Sequence, residues 1–164
     1  VKGLALASGK PMVGVSTLES LAWNVAVSPL AICPMVDARK NQVYTAIFKR
    51  VADGSLQNVV PDALADLGRF LQGITEETLF LGDGAIRYRH DIEARLAGRA
   101  CFDHACGNHI RAGIVGMLGR QRFNAGYAED ALTAVPRYLR LSEAEEKGRK
   151  GAMPDSHILT SPCK

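Results

Sequence analysis

The residue types best suited to chemistry fall in three short stretches. Cys101, His104, Cys106 and His109 lie within nine residues of one another, and thiolate and imidazole are both good zinc ligands. Their order, Cys-x2-His-x-Cys-x2-His, matches no common structural zinc spacing, and no second Cys/His cluster occurs elsewhere. A polar loop with incidental thiols and imidazoles accounts for them, so no metal site is assigned. Gly82-Asp83-Gly84 stands between an apolar run and a helical pattern. There, backbone amides and a helix start could face the phosphates of a nucleotide. The stretch lacks the remainder of Gly-x-Gly-x-x-Gly and any Walker lysine, and Asp83 would repel a phosphate without an intervening cation. A tight strand-to-helix turn that needs glycine dihedrals is the simpler account. Asp37-Ala38-Arg39 closes a strand-like run. A carboxylate there could be catalytic or metal-binding, or Asp37 and Arg39 could simply cap a turn.

Other candidates carry less. There is no Gly-x-Ser-x-Gly elbow for a serine hydrolase. His90 and His157 are isolated, and His157 reads as solvated. Trp23, the only tryptophan, sits among Leu18, Leu21 and Ala22, which suits core or interface packing. Arg87, Arg89, Arg95 and Arg99 alternate with Asp91 and Glu93, a pattern of a solvated face. Arg111, Arg120 and Arg122 lack the aromatic interleaving of a nucleic-acid groove.

The elements that must position these residues follow from periodicity and turn chemistry. Residues 1–8 read as the end of a helix closed by Gly9, with no capping residue before Val1. A short buried strand is expected over 11–15. A capping box, Ser16-Thr17-Leu18-Glu19, then opens a helix over 18–25. Residues 31–37 and 43–48 form a hairpin of apolar, β-branched and aromatic residues around a turn at 38–42. Asp53-Gly54 marks the next turn, and a third strand lies at 56–60. Pro61-Asp62 starts a helix carrying Leu64, Leu67 and Leu71 and ending at Gly73. A strand at 78–81, a helix at 85–96, a helix carrying Ile110, Ile114, Met117 and Leu118 with a stop at Gly126, and an extended stretch at 134–140 complete the pattern. Charge density rises after Ser142, and residues 142–164 read as a flexible tail. Strands alternating with helices place the chain in the α/β class, with a mixed sheet because of the hairpin.

The chain has 164 residues, 47% of them apolar, and a formal net charge of +3. That is enough for a genuine core and excludes wholesale disorder. It is not a concentrated basic footprint. No apolar run is long enough to span a membrane. Four cysteines in a chain of this length are too few for a disulfide scaffold, and nothing at the start reads as a signal peptide, so a reduced, cytoplasmic protein is expected.

Four stretches together add a resemblance. Lys2-Gly3-Leu4-Ala5-Leu6-Ala7 with residues 11–22, the hairpin Asp37-Ala38-Arg39…Gln42-Val43-Tyr44, Gly82-Asp83-Gly84-Ala85 and Pro136-Arg137-Tyr138-Leu139-Arg140 occur in one order. In that order they resemble the TsaB (YeaZ) family, bacterial proteins of threonylcarbamoyladenosine biosynthesis on tRNA. Gln42 stands where the family usually has Glu. The resemblance covers about residues 1–146 and implies an actin/Hsp70-like fold of two related α/β lobes. The family's Gly-Pro-Gly segment would precede Val1, so residues 1–30 are expected to be the remnant of a largely missing first lobe, and residues 31–141 the second.

By the same resemblance the function is that of a non-catalytic scaffold or activator. It would pair with a TsaD-like enzyme and a TsaE-like ATPase that together place a threonylcarbamoyl group on the anticodon-adjacent adenosine of tRNA. The partners would hold the ATP and metal, this chain would hold no cofactor, and tRNA would be met indirectly. A homodimer stays open. Lys2, Leu4, Ala5 and Leu6 would belong to the partner interface, Gly82, Asp83 and Gly84 to the family's nucleotide cleft, and Ser16, Thr17, Glu19, Asp37, Arg39, Tyr44, Tyr138 and Arg140 to its structural motifs. No His-x3-His, the metal pair of TsaD, is present. The alternatives are a glycoprotease-like peptidase, for which no nucleophile–base pair is evident, and a nucleotide-binding module of the superfamily.

Overall fold

The computed structural model describes residues 1–103 and 105–140. Its centre is a five-stranded mixed sheet in the order β3-β2-β1-β4-β5. These are β1 (Ala31–Asp37), β2 (Gln42–Arg50), β3 (Leu56–Asp66), β4 (Thr78–Leu81) and β5 (Ala100–Phe102). Among the described residues six α-helices accompany it: α1 (Lys2–Ser8), α2 (Thr17–Ala22), α3 (Leu67–Gln72), α4 (Asp83–Arg87), α5 (Arg89–Leu96) and α6 (Ala112–Asn124). β1 is central, antiparallel to β2 and parallel to β4. It contains Pro34, which cannot donate a ladder hydrogen bond. Here the Thr45 hydroxyl donates to the Pro34 carbonyl at 3.0 Å, which keeps that buried acceptor satisfied.

Alternation along the strands sends side chains to two cores. Cys33, Met35, Val43 and Phe80 pack with Leu67, Leu71, Ile92 and Leu96 beneath α3 and α5. Ile32, Ala46, Phe48 and Leu81 pack with Leu18, Leu21 and Val25 of the α2 region on the other side. A sheet covered on both faces explains why β1 reads as a nearly continuous apolar run.

Several expectations are corrected. Residues 11–15 form no strand: Met12 makes a single bridge to Glu129 and Gly14 is exposed, since the sheet's edges are β3 and β5. The helix expected from Pro61 begins only at Leu67. Leu64 pairs with Tyr44 in the sheet, Asp66 caps α3 by accepting from the Arg69 amide, and Pro61 is tolerated because β3 is an edge strand. The helix expected at 18–25 stops at Ala22. Only half of its capping box forms: Ser16 accepts from the Glu19 amide, but the Glu19 carboxylate pairs with Arg122 of α6. The helix expected at 85–96 starts at Asp83 and breaks at Tyr88 (φ −103°, ψ 18°). β5 lies in the stretch read as a loop, where Cys101 pairs with Leu79. In α6 only Leu118 is buried, and Ile110 precedes the helix and is exposed. The expected tail lies outside the described residues.

Candidate functional site

Three of the four motif stretches meet at one corner, where the parallel strands β1 and β4 end. β4 delivers the chain to Gly82 beside Met35, with Pro34 opposite Leu81. Gly82 takes φ 98°, ψ 170°, a region essentially restricted to glycine. A Cβ there would lie 2.2 Å from the Met35 carbonyl oxygen, and one on Gly84 would come within 3.1 Å of the Asp37 nitrogen. The glycines therefore let α4 seat directly on the backbone of β1.

The amides of this corner are engaged within the chain. Gly82 N–H donates to Asn108 Oδ1 at 2.6 Å. Asp83 Oδ1 accepts from the amides of Asp37 at 3.2 Å and Gly84 at 2.8 Å. The Asp83 carboxylate thus sits where a phosphate oxygen would need to be.

Asp37 is held just as closely. Its Oδ1 accepts from the Arg39 amide at 2.9 Å and from the Tyr88 hydroxyl at 3.0 Å, and its Oδ2 lies 3.4 Å from Arg87 Nη1. Partial burial pushes the Asp37 carboxyl up. The Arg39 amide, the Tyr88 hydroxyl and the charges of Arg87 and Arg39 outweigh that push and hold it below the usual carboxylate range.

The turn that follows is unusual. Arg39, Lys40 and Asn41 all occupy the left-handed region, with φ of 61°, 52° and 59°. Each non-glycine residue there costs about 1–2 kcal/mol. The surroundings fix the turn: Gln42 N–H donates to Arg39 O, Leu67 N–H donates to Asn41 O, and Asp37 takes the Arg39 amide. From a hundred residues away, Arg140 Nη2 donates to both Ala38 O and Gln42 Oε1 at 2.8 Å, and its guanidinium stands 6.0 Å from the Tyr44 ring centroid. Gln42 makes this contact as a neutral acceptor.

The remaining motif residues lie elsewhere. Ser16 caps α2 and donates to Asp62 Oδ2 at 2.6 Å, Glu19 meets Arg122, and Thr17 is exposed. Tyr138 is 80% exposed. On α1, Leu4 and Leu6 face outward, Ala5 is buried, and Lys2 donates to the carbonyls of Leu132 and Ala134. His109 is exposed and Cys101 lies in β5, while His104 falls outside the described residues. Among the described residues no three metal-donor side chains gather. Cys33 is buried, which pushes its thiol up to about 12 despite the Thr45 hydrogen bond, so it is no nucleophile. Sequence reasoning missed Tyr88 and Asn108, which reach the corner from 51 and 26 residues away with no local signal.

This chain, with this corner, can be compared with known proteins. A family model described as TsaD, tRNA N6-adenosine threonylcarbamoyltransferase, matches residues 1–148. The chain belongs to this family. It is 35% identical over 149 residues to the Bacillus subtilis (strain 168) tRNA threonylcarbamoyladenosine biosynthesis protein TsaB, which bears out the TsaB (YeaZ) resemblance. That match covers 89% of this chain and 63% of the relative, so the chain spans just under two thirds of that protein's length. Two solved structures share the fold, YeaZ from Pseudomonas aeruginosa and an uncharacterised protein with similarity to the peptidase YeaZ from the same organism. Each has a TM-score of 0.65 at 22% identity, covering 84% and 85% of this chain respectively and 64% of theirs. The fold is thus the actin/Hsp70-like mixed sheet with flanking helices. Among the described residues no helix is long and apolar enough to cross a membrane.

Proposed function

We propose that the chain acts as a non-catalytic subunit in threonylcarbamoyladenosine formation on tRNA, docking on a TsaD-type enzyme that works with a TsaE-type ATPase. Residues 1–30 would belong to a first lobe and residues 31–141 to a second, with ATP and metal held by the partners. One observation carries the non-catalytic reading. At the corner where the motifs meet, the amides of Gly82, Gly84 and Asp37 are engaged by Asn108 and Asp83, and Asp37 is engaged by Tyr88, Arg39 and Arg87. A site built for acid–base or phosphate chemistry would leave such groups aimed outward. This one uses them to join α4 to β1.

Docking is assigned to α1, where Leu4 and Leu6 are exposed on a short helix of small residues. Of the four residues expected at the interface, these two have side chains not engaged within the chain. The test is co-purification of the chain with the cognate TsaD-type protein, alone and with Leu4→Glu and Leu6→Glu. Retention by the wild type and loss with the double variant is the expected result. No retention of the wild type would overturn the reading.

A further inference from the structure

The corner presents exposed cations to the solvent at Arg39, Lys40 and Arg87. We propose that the β1–β2 turn with the 136–140 segment is a contact surface for the phosphate backbone of RNA, so that this chain touches the tRNA itself.

Three segments distant in sequence converge there. The left-handed turn presents Arg39 and Lys40, both exposed. α4 presents Arg87, whose side chain is 62% exposed. The Arg140 hydrogen bonds to Ala38 and Gln42 tie to this turn the end of the segment that carries the exposed Arg137 and Tyr138. Three carboxylates belong to the same corner: Asp37 faces Tyr88, the Arg39 amide and Arg87, while Asp83 and Asp66 are exposed and accept from backbone amides. Arg39, Lys40 and Arg137 form no ion pair among the described residues, which leaves two guanidinium groups and an ammonium group open, on the same segments as the exposed Tyr138 ring. Cations neutralise phosphates, and an exposed ring offers a stacking platform for an unpaired base. The modest net charge of the whole chain hides this cluster, because the cations come from separate stretches.

The arrangement of the turn fits such a role. A backbone held in the left-handed region by Asp37 and Arg140 fixes the direction in which Arg39 and Lys40 leave the surface, so little order has to be gained on binding. The choice of RNA over other polyanions rests on the tRNA-modification reading above. The phosphate contact itself follows from charge and exposure.

The experiment titrates the full chain into a fluorescently labelled tRNA anticodon stem-loop and follows anisotropy from about 50 to about 200 mM salt. The variants are Arg39→Asn with Lys40→Asn, which tolerate the left-handed region, Arg137→Gln, and Tyr138→Ala. Arg89→Ala with Arg95→Ala, on α5, is the control. Removing the three cations should weaken binding about tenfold or more and reduce the slope of log affinity against log salt by about 2–3. Tyr138→Ala should cost about fivefold or more on the loop. The control pair should change neither quantity.

Unchanged affinity and slope in the triple variant, with circular dichroism showing it folded, would overturn the inference. So would an equal loss in the control pair, or equally tight, equally patch-dependent binding to anionic phospholipid vesicles. Co-purification with the TsaD-type protein separates the two readings. A chain that keeps the partner but binds RNA independently of the patch overturns only the RNA contact. A chain that loses the partner but keeps patch-dependent RNA binding overturns only the docking.

Discussion

Gly82→Ala separates a packing role for the glycine stretch from a ligand-cradling one. Two costs act together. The alanine would have to hold φ 98°, ψ 170°, a region costing about 1–3 kcal/mol for a residue with a side chain. Its Cβ would lie 2.2 Å from the carbonyl oxygen of Met35, a fully buried residue of the central strand, so backbone rather than a flexible side chain must move. Overpacking of that kind costs about 1–3 kcal/mol more. The expected loss is about 2–6 kcal/mol, a large share of the roughly 5–15 kcal/mol that holds an ordinary domain together. For a chain of this size it corresponds to a melting temperature lower by roughly 4–24 °C. Gly98→Ala is the matched control: φ is 89° but nothing lies within 4 Å of the added Cβ, so only the dihedral cost applies, about 1–3 kcal/mol. Both are measured by urea and thermal unfolding followed by circular dichroism. If Gly82→Ala costs no more than Gly98→Ala, the close seating of α4 on β1 is not what the glycine provides.

Three further outcomes follow from the same geometry. Tyr88→Phe removes the hydroxyl that donates to Asp37 and should cost about 1–2 kcal/mol near neutrality. The Asp37 pKa is lowered by folding, so its stabilisation is present above the unfolded carboxylate value of about 3.9 and is lost as pH falls through the folded value. The Tyr88→Phe penalty should therefore shrink in acid, and urea melts giving one penalty at neutral pH and at roughly pH 3 would contradict it. Calorimetry should show no micromolar ATP binding, because the glycine-stretch amides are already engaged; a micromolar isotherm would refute this. Leu4, Leu132 and Val135 are each more than 70% exposed, and the Lys2 bonds to the Leu132 and Ala134 carbonyls join their segments; exposed apolar side chains of this kind should drive self-association, and light scattering from a monodisperse monomer at high concentration would count against it.

Much of the sheet was legible because local and global preferences agree in it. Residues 31–37 and 43–48 combine apolar and β-branched side chains with a polar turn between them, and both lie in observed strands. Failures came where two rules competed. Pro61-Asp62 followed by Leu64, Leu67 and Leu71 looks like a helix start on an apolar stripe, yet pairing with β2 carries the strand through to Asp66. A proline is a strand breaker only where its missing N–H is needed, and on an edge it is not. β5 is three residues long and hidden among cysteines and histidines, too short for any period to register. The Gly82-Asp83-Gly84 stretch reads as a strand-to-helix turn and leads from β4 into α4, but the partners of this corner carry no local signal, since nothing near Asn108 or Tyr88 marks that they reach Gly82 and Asp37.

The convergence at the β1–β2 turn also clarifies why the motif residues are of these types. Asp37 must be an acid because three donors face it, Asp83 because two amides do, and Arg140 must be long and multiply donating to reach Ala38 and Gln42 from the 136–140 segment. None of these demands involves a substrate. They fix a strained turn in one conformation, and a strained conformation persists only when its surroundings over-determine it. The turn's hydrogen bonds do not dictate the types of the residues pointing away: Arg39 enters them only through its backbone, and Lys40 and Tyr138 are exposed. If the turn served stability alone, a glycine-containing hairpin loop would do so at lower cost. A costly turn whose outward side chains are cations is better explained by what it presents than by what it holds together.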